Sequence, residues 1–335
     1  MIKEAIAKLI YGCDLTEAQA DGAMTEIMTG VATPAQTAAY ITALSIKGET
    51  VDEIAASAKA MRAVSLKTDI PDNCIDIVGT GGDKSNSFNI STCSSIVVAA
   101  SGVSVAKHGN RSVSSKCGAA DVLDALGANL KVDAQKGKQV FDKCNFMFLH
   151  AQVYHPAMRY AAPVRAELGI RTIFNILGPL ANPAGCKKQL LGVYSKELLQ
   201  PLAKVLTMLG ANRVIAVHGE EGLDEVSPSG KTYCCQIFDG QMKEYVLTPA
   251  DFGLAPHDKS EIVGGDPATN AGIMKDVLNG KKGAYRDAVL ENSALALYTA
   301  GAVNNVKDGV KLAQNAIDSG KALATLNTFI AATNS

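Results

Sequence analysis

Three short stretches of this sequence carry residue types able to grip anions and a metal. The first is Gly79-Thr80-Gly81-Gly82-Asp83. Glycines lack a Cβ, so such a backbone can run close to a phosphate with its N–H groups turned inward. Ser87 and Asn89-Ile90-Ser91-Thr92 follow, opening a helix predicted over Ser91–Ala100. The positive end of that helix and its capping hydroxyls face the same space. The second stretch is Lys107-His108-Gly109-Asn110-Arg111-Ser112-Val113-Ser114-Ser115. Cations, an amide and hydroxyls around a glycine turn suit phosphates and sugar hydroxyls better than an apolar ligand. The third is Asp224-Glu225, reached through Gly219-Glu220-Glu221-Gly222. In a turn, adjacent carboxylates can converge, and Mg²⁺ prefers one or two of them with phosphate and water oxygens.

Each stretch alone also has a plain reading: a tight turn, a polar loop, a solvated surface pair. Together, following the first, second and fifth predicted strands, they point to a polyphosphate. Two common phosphate loops do not fit. A dinucleotide GxGxxG would need glycine where Lys84 stands, and a P-loop needs spacing that only Gly82-Asp83-Lys84 approaches. Arg165, among apolar neighbours in Pro163–Gly169, is equally readable as a structural ion-pair partner or a cation aimed at a substrate carboxylate. His155, beside Tyr154 and Pro156, reads first as a packing residue.

The elements that must place these residues are legible from periodicity. Up to about residue 65 the pattern is all-helical: Thr33-Pro34 starts a helix that Gly48 ends, and Thr50-Val51-Asp52-Glu53 is a capping box. Beyond Pro71, strands are predicted at Ile75–Val78, Val103–Lys107, Phe146–Leu149, Gln189–Tyr194 and Arg213–His218, separated by helix-like stretches. That alternation implies a largely parallel sheet covered on both faces. A further helix is expected from Gly118 to Leu126. Tyr233–Phe238 and Lys243–Leu247 around Asp239-Gly240 read as a hairpin, and the tail from Ala268 as helical. The expected fold is α/β: a small all-helical domain, residues 1–68 with 156–185 packing back on it, and a large α/β domain, 69–155 and 186–335, with a mostly parallel central sheet.

Composition narrows the class. The chain has 335 residues, 47% hydrophobic and 19% charged, with a formal net charge of −1. A neutral balance speaks against nucleic acid or a membrane surface as the main partner. No apolar run approaches the roughly 20 residues that span a bilayer, and the first ten residues have helical spacing, so a cytoplasmic protein is expected. The eight cysteines form no CxxC pair and read as buried thiols.

The motifs resemble those of the anthranilate phosphoribosyltransferases, a family sharing the nucleoside phosphorylase/phosphoribosyltransferase plan. Asp76–Asp83 with Ser87–Thr92 is similar to the family's first signature, and Lys107–Ser115 to its second. His155–Met158, Val164–Asn175 and Leu177–Pro183 resemble the third, and Gly222–Ser227 the fourth. They occur in the family's order and span most of the chain. The resemblance implies transfer of the ribose 5-phosphate of phosphoribosyl pyrophosphate to the anthranilate amine, in tryptophan biosynthesis, by a homodimer. It implies that Gly79, Gly82, Asp83, Ser87, Asn89–Thr92, Lys107–Ser115 and Ala119 hold the sugar donor. Gly79, Asn110 and Arg165 would line the anthranilate site. Ser91, Asp224 and Glu225 would hold Mg²⁺, as two ions with Glu225 shared between them. No general base is implied. One departure stands out: Cys117-Gly118-Ala119 replaces the family's usual Ser-Gly-Ser, which removes a hydroxyl at Ala119. Two other readings stay open: a pyrimidine nucleoside phosphorylase, which needs no acid pair, and a nucleic-acid-binding relative, which needs basic surface.

Overall fold

The structure, a computed structural model, describes residues 1–112 and 116–335. Among these residues, seven strands form one sheet in the order β3-β2-β1-β4-β5-β6-β7. They are β1 (Ile75–Gly79), β2 (Val105–Gly109), β3 (Phe146–His150), β4 (Lys188–Gly192), β5 (Arg213–Gly219), β6 (Thr232–Phe238) and β7 (Gln241–Leu247). The first five run parallel; β6 and β7 are antiparallel, joined by the expected Asp239-Gly240 turn. The order doubles back at β1: the chain proceeds to β2 and β3 on one side and to β4 and β5 on the other. Such a switch point opens a crevice beyond the carboxyl ends of the two central strands.

Alternation along each strand divides the core between the two faces. Ile75, Ile77, Leu190, Ile215 and Val217 pack with the Ile90–Ala100 and Ala284–Ala300 helices and the C-terminal helices. Val78, Leu191, Val214 and Ala216 pack on the other face, in a cluster that also holds the four N-terminal helices. Ala161, Val164, Phe174, Ile176 and Leu177 belong to that second cluster, so the Ala162–Leu168 and Phe174–Leu180 helices lie with the N-terminal ones. This middle segment is interrupted where Gly169 turns left-handed at φ +61°.

The predicted caps are in place. Thr33 and Thr50 each accept a hydrogen bond from the third residue of their helix, which returns one. Glu53 does more than close its box. Fully buried, it also accepts from the Leu15 N–H at 2.9 Å and pairs with Lys47 at 2.9 Å, tying three helical segments together. Two expectations need correction. The second strand begins at Val105, two residues late, because Gly102 turns the chain at φ +92°; it runs on through His108 and Gly109. Cys13 is exposed, whereas the other seven cysteines are buried; Cys74 and Cys186 bring their sulfurs within 2.9 Å.

One buried acid has a consequence for stability. Glu291, on the Ala284–Ala300 helix, is 0% exposed, and neither carboxyl oxygen has a hydrogen-bond partner among the described residues. Burial first, then the charges of Asp287 and Glu221, pushes it up to about 9. An unfolded glutamate ionises near ~4.3. Across that interval the folded chain keeps a proton that the unfolded chain has lost, so stability falls as pH rises through the window. Glu291→Gln removes this linkage. The melting temperature of the variant relative to wild type should climb steadily from about pH 5 upward, levelling near the folded value; a pH-independent difference would contradict a neutral Glu291.

Candidate active site

The crevice at the switch point is built by two glycines side by side. Gly79 ends β1, Gly192 ends β4, and the two are paired across the ladder. A Cβ on Gly79 would lie 2.3 Å from Asp224 Oδ2, and one on Gly192 would lie 1.5 Å from the Asp224 carbonyl oxygen. Any side chain at either position would collide with Asp224. The glycines are what allow the turn after β5 to fold back over the strand ends. Gly219 N–H donates to Leu223 O at 2.8 Å and closes that turn.

Asp224 and Glu225 therefore sit inside the protein, 8% and 9% exposed. Asp224 Oδ2 accepts from the Gly81 N–H at 2.6 Å, and Glu225 Oε1 from the Ser91 N–H at 3.1 Å. The sequence puts both carboxylates in a turn beside the glycine loop and the helix start, and the structure brings all of these together. Burial, then the charges of Asp83 and Glu225, holds Asp224 well above the usual carboxylate range. Burial raises Glu225 to about 7, against the opposing pull of Lys107. Asp83 adds a third carboxyl, whose buried Oδ2 has no donor among the described residues. Crowded acids with an orphaned oxygen are a place for a cation.

Mg²⁺ fits this chemistry: hard oxygen donors, negative charge and room for outside ligands. Among the described residues no three His, Cys, Asp or Glu side chains already form a closed metal cage. An ion here would complete its shell with ligand and water oxygens, which is the habit of Mg²⁺ rather than Zn²⁺.

Lys107 lies beneath the acids, 1% exposed, its Nζ donating to the Ile77 carbonyl. Burial lowers its pKa, while Asp76, Glu225 and Asp224 oppose that. Asp76, fully buried in β1, anchors this layer: its Oδ2 accepts from Asn182 at 2.8 Å and its Oδ1 from the His108 N–H at 3.2 Å. His108 Nδ1 contacts the Gly178 carbonyl at 3.0 Å, and its ring meets His155 edge-on at 5.0 Å. Burial depresses both imidazoles, His155 to about 4, so both are neutral at pH 7.

Other expected residues are distributed as follows. Asn89 precedes the Ile90–Ala100 helix, but its side chain does not cap it; Nδ2 donates to Cys117 O at 3.2 Å and Oδ1 accepts from Asn270 at 2.9 Å. Ile90 and Thr92 are buried in the first helical turn. Ser87 pairs with Val263 at an isolated bridge. Gly109 approaches the Phe148 ring, where a Cβ would lie at 2.7 Å. Asn110 accepts from the Arg111 N–H at 2.8 Å. Arg111 is half-exposed and paired with Asp121 and Asp124 at 2.9 and 3.0 Å, so it is not a bare cation facing the crevice. Ser112 N–H donates to Asp121. Val113, Ser114 and Ser115 lie outside the described residues. Ala119 opens the short Ala119–Ala125 helix.

Arg165 lies in the Ala162–Leu168 helix. No carboxylate pairs with it among the described residues; its guanidinium stands 5.2 Å from the centre of the Phe174 ring. Desolvation lowers its pKa. Four residues near the site are assigned no role from sequence: Asp76, Arg171 and Asn182 fall inside the stretches that resemble the family signatures, and Asn270 falls outside them. Arg171 donates to Gly82 O at 2.6 Å and lies 4.2 Å from the centre of the Tyr194 ring. Position alone reveals them, since their partners are distant in the chain.

Comparison with known proteins agrees with this geometry. Residues 71–323 match the glycosyl transferase family, a/b domain, and residues 3–65 its helical bundle domain. An anthranilate phosphoribosyltransferase from Methanobrevibacter smithii is 54% identical over 335 residues, all of both chains. The crystal structure of an anthranilate phosphoribosyltransferase from Thermus thermophilus superimposes with a TM-score of 0.93 at 42% identity, covering 99% of each chain. One from Saccharomyces cerevisiae, in complex with PRPP and Mg, gives 0.91 at 33% identity, covering 99% of this chain and 98% of that one.

Proposed function

We infer that this chain, which belongs to the anthranilate phosphoribosyltransferases within that glycosyl transferase family, moves the 5-phosphoribosyl group of phosphoribosyl pyrophosphate onto the amine of anthranilate. Pyrophosphate is the other product. The observation that carries the reading is the buried acid pair over Gly79 and Gly192 beside an anion-binding loop and helix start, with Arg165, which no described carboxylate pairs, on the helical side. Pyrimidine nucleoside phosphorolysis and nucleic-acid binding are not favoured: the full-length relatives carry the transferase name, and the net charge is −1.

The sugar donor is assigned to Gly79, Gly82, Asp83, Ser87, Asn89–Thr92, Lys107–Ser115 and Ala119, where glycine amides and a helix start can receive its phosphates. Mg²⁺ is assigned to Ser91, Asp224 and Glu225, as two ions with Glu225 between them; when bound, it neutralises charge on the pyrophosphate oxygens. Anthranilate is assigned to Gly79, Asn110 and Arg165, whose guanidinium matches a benzoate carboxylate as a two-point fork.

In the reaction the C1–O bond breaks with its electron pair leaving on pyrophosphate, and the amine lone pair forms the C1–N bond. Lys107 and the backbone N–H groups of the glycine loop stabilise the leaving charge. The aromatic amine is neutral at pH 7, so it attacks without prior deprotonation and sheds its proton afterwards. That agrees with a site whose histidines are held neutral and buried. Arg165 orients the ring so that the amine faces C1, which is the larger contribution when no base is needed.

We assign the assembled state to a homodimer through the helical region. Tyr11, Val31 and Ile46 are 81%, 70% and 83% exposed, at or near the ends of three helices that pack together. Light scattering should report twice the chain mass of 34.9 kDa; a monomer at micromolar concentration would refute it.

Anthranilate fluorescence should disappear only when chain, phosphoribosyl pyrophosphate and Mg²⁺ are all present. Replacing Asp224 and Glu225 together with alanine should cut turnover by on the order of 100-fold or more while the circular dichroism spectrum is retained; wild-type rates would remove the metal assignment. Arg165→Ala should raise the anthranilate KM by about 10- to 100-fold, the worth of a charged hydrogen-bonded pair. An equal rise for both substrates would mark Arg165 as structural.

A further inference from the structure

Glu225 is followed by Val226, which is fully buried, so the backbone leaving the acid pair has no water to satisfy it. Its partner comes from a distant part of the chain. Asn292, in the middle of the Ala284–Ala300 helix and 0% exposed, accepts from the Val226 N–H at 2.9 Å. The same side chain donates back to the Val226 carbonyl at 3.2 Å and to the Ala288 carbonyl at 2.9 Å. An asparagine amide has an acceptor and two N–H donors, and these three bonds use both ends of it. It meets the N–H and the C=O of one residue together, as a neighbouring strand would.

We propose that Asn292 is a positioning residue for the metal: by clamping Val226 at both polar groups, it fixes the direction in which the Glu225 carboxylate leaves the backbone. The argument is steric and directional. At its other side the acid pair is fixed by Asp224, wedged over Gly79 and Gly192, and by the Gly219–Leu223 closure. Without Asn292 the turn is held at that side only. Val226 could then rotate to seek other partners, carrying Glu225 away from the Ser91 N–H. A site that takes few protein ligands depends on their being aimed beforehand. The inference rests on the assignment of Mg²⁺ to Asp224 and Glu225.

The test is a titration of the full-length protein with Mn²⁺, a Mg²⁺ stand-in whose free form is counted by electron paramagnetic resonance, with phosphoribosyl pyrophosphate present. Asn292→Ala should weaken Mn²⁺ binding by about 10- to 100-fold, the range typical for residues that orient metal ligands, and leave the anthranilate KM unchanged. Asn292→Asp, of the same shape, keeps the acceptor for Val226 N–H but sets a carboxylate oxygen against the Val226 carbonyl. It should weaken binding similarly, and it decides the matter if the alanine variant does not fold. Thr299→Val is the control for general destabilisation, because that buried hydroxyl of the same helix bonds its own helix, at Leu295 O and 2.7 Å, and not the acid turn. It should lower the melting temperature without moving Mn²⁺ affinity. Wild-type affinity in the folded Asn292 variants, or equal weakening in Thr299→Val, would overturn the proposal. No Mn²⁺ binding by wild type would instead overturn the metal assignment beneath it.

Discussion

The structure turns on a steric vacancy. β1 and β4 each end in a glycine, and the space their missing side chains leave is filled by Asp224. A carboxylate brought so far inside must give up its water, which is costly unless donors or cations replace it. Here the replacement is partial: one N–H from Gly81 for Asp224, one from Ser91 for Glu225, and the ammonium of Lys107 at a distance. The residual imbalance is why Asp224 and Glu225 hold their protons more tightly than exposed acids do. The same imbalance is the electrostatic ground on which Mg²⁺ is assigned to this crevice.

That imbalance needs a rigid floor, which is polar in a way the surrounding core is not. Asp76 is buried in the second position of β1, where its neighbours Ile75 and Ile77 face the opposite side. It holds the His108 N–H and the Asn182 amide, and its charge favours the ammonium of Lys107. Asn182 donates to the Ala106 carbonyl as well, so β1, β2 and the loop after the Phe174–Leu180 helix are joined through two side chains. Burial lowers the Lys107 pKa, and the charge of Asp76, with those of Glu225 and Asp224, works against that. A lysine on a mobile surface loop could reach a phosphate, but it could not act as a fixed counter-charge.

How much of this is legible in the sequence depends on whether partners are near in the chain. The glycine loop, the helix start and the acid pair are legible because glycine, capping residues and adjacent acids are local signals, and each lies at the end of a strand with clear periodicity. The role of Arg165 comes from the family resemblance alone; the structure places its guanidinium against the Phe174 ring. Strand limits are less legible at β2, where a valine after Gly102 looks like the start of a strand and is spent on the turn. Arg111 reads from sequence as a phosphate cation, but its partners Asp121 and Asp124 stand ten and thirteen residues on, in a helix whose acids look merely solvated. Asn270 and Asn292 leave no trace in the sequence, and Asn182 stands inside a family-like stretch without its role being readable there. A single asparagine in a helical or loop pattern is indistinguishable from a solvated one until its partner, tens to nearly two hundred residues away, is placed beside it.

The two substrate assignments fall on different packing units, and this bears on how the crevice can work. The donor site is made by strand ends and by the Ile90–Ala100 helix, whose core lies on one face of the sheet. Arg165 is carried by a helix whose buried residue, Val164, belongs to the cluster with the N-terminal helices on the other face. Val164 shares that cluster with Val78 and Leu191 of the sheet itself, so the separation of Arg165 from Gly79 is set by the packing of the helical layer on the strands. Arg171 spans the gap, anchored to the helical side by Ser45 Oγ, which donates to its carbonyl at 3.2 Å, and reaching Gly82 O with its guanidinium. Gly82 takes a left-handed φ of +74°, which leaves its carbonyl free to meet that guanidinium rather than a neighbouring strand. The loop that would receive phosphate is thus tethered to the segment that would receive the benzoate, so ordering one side restrains the other.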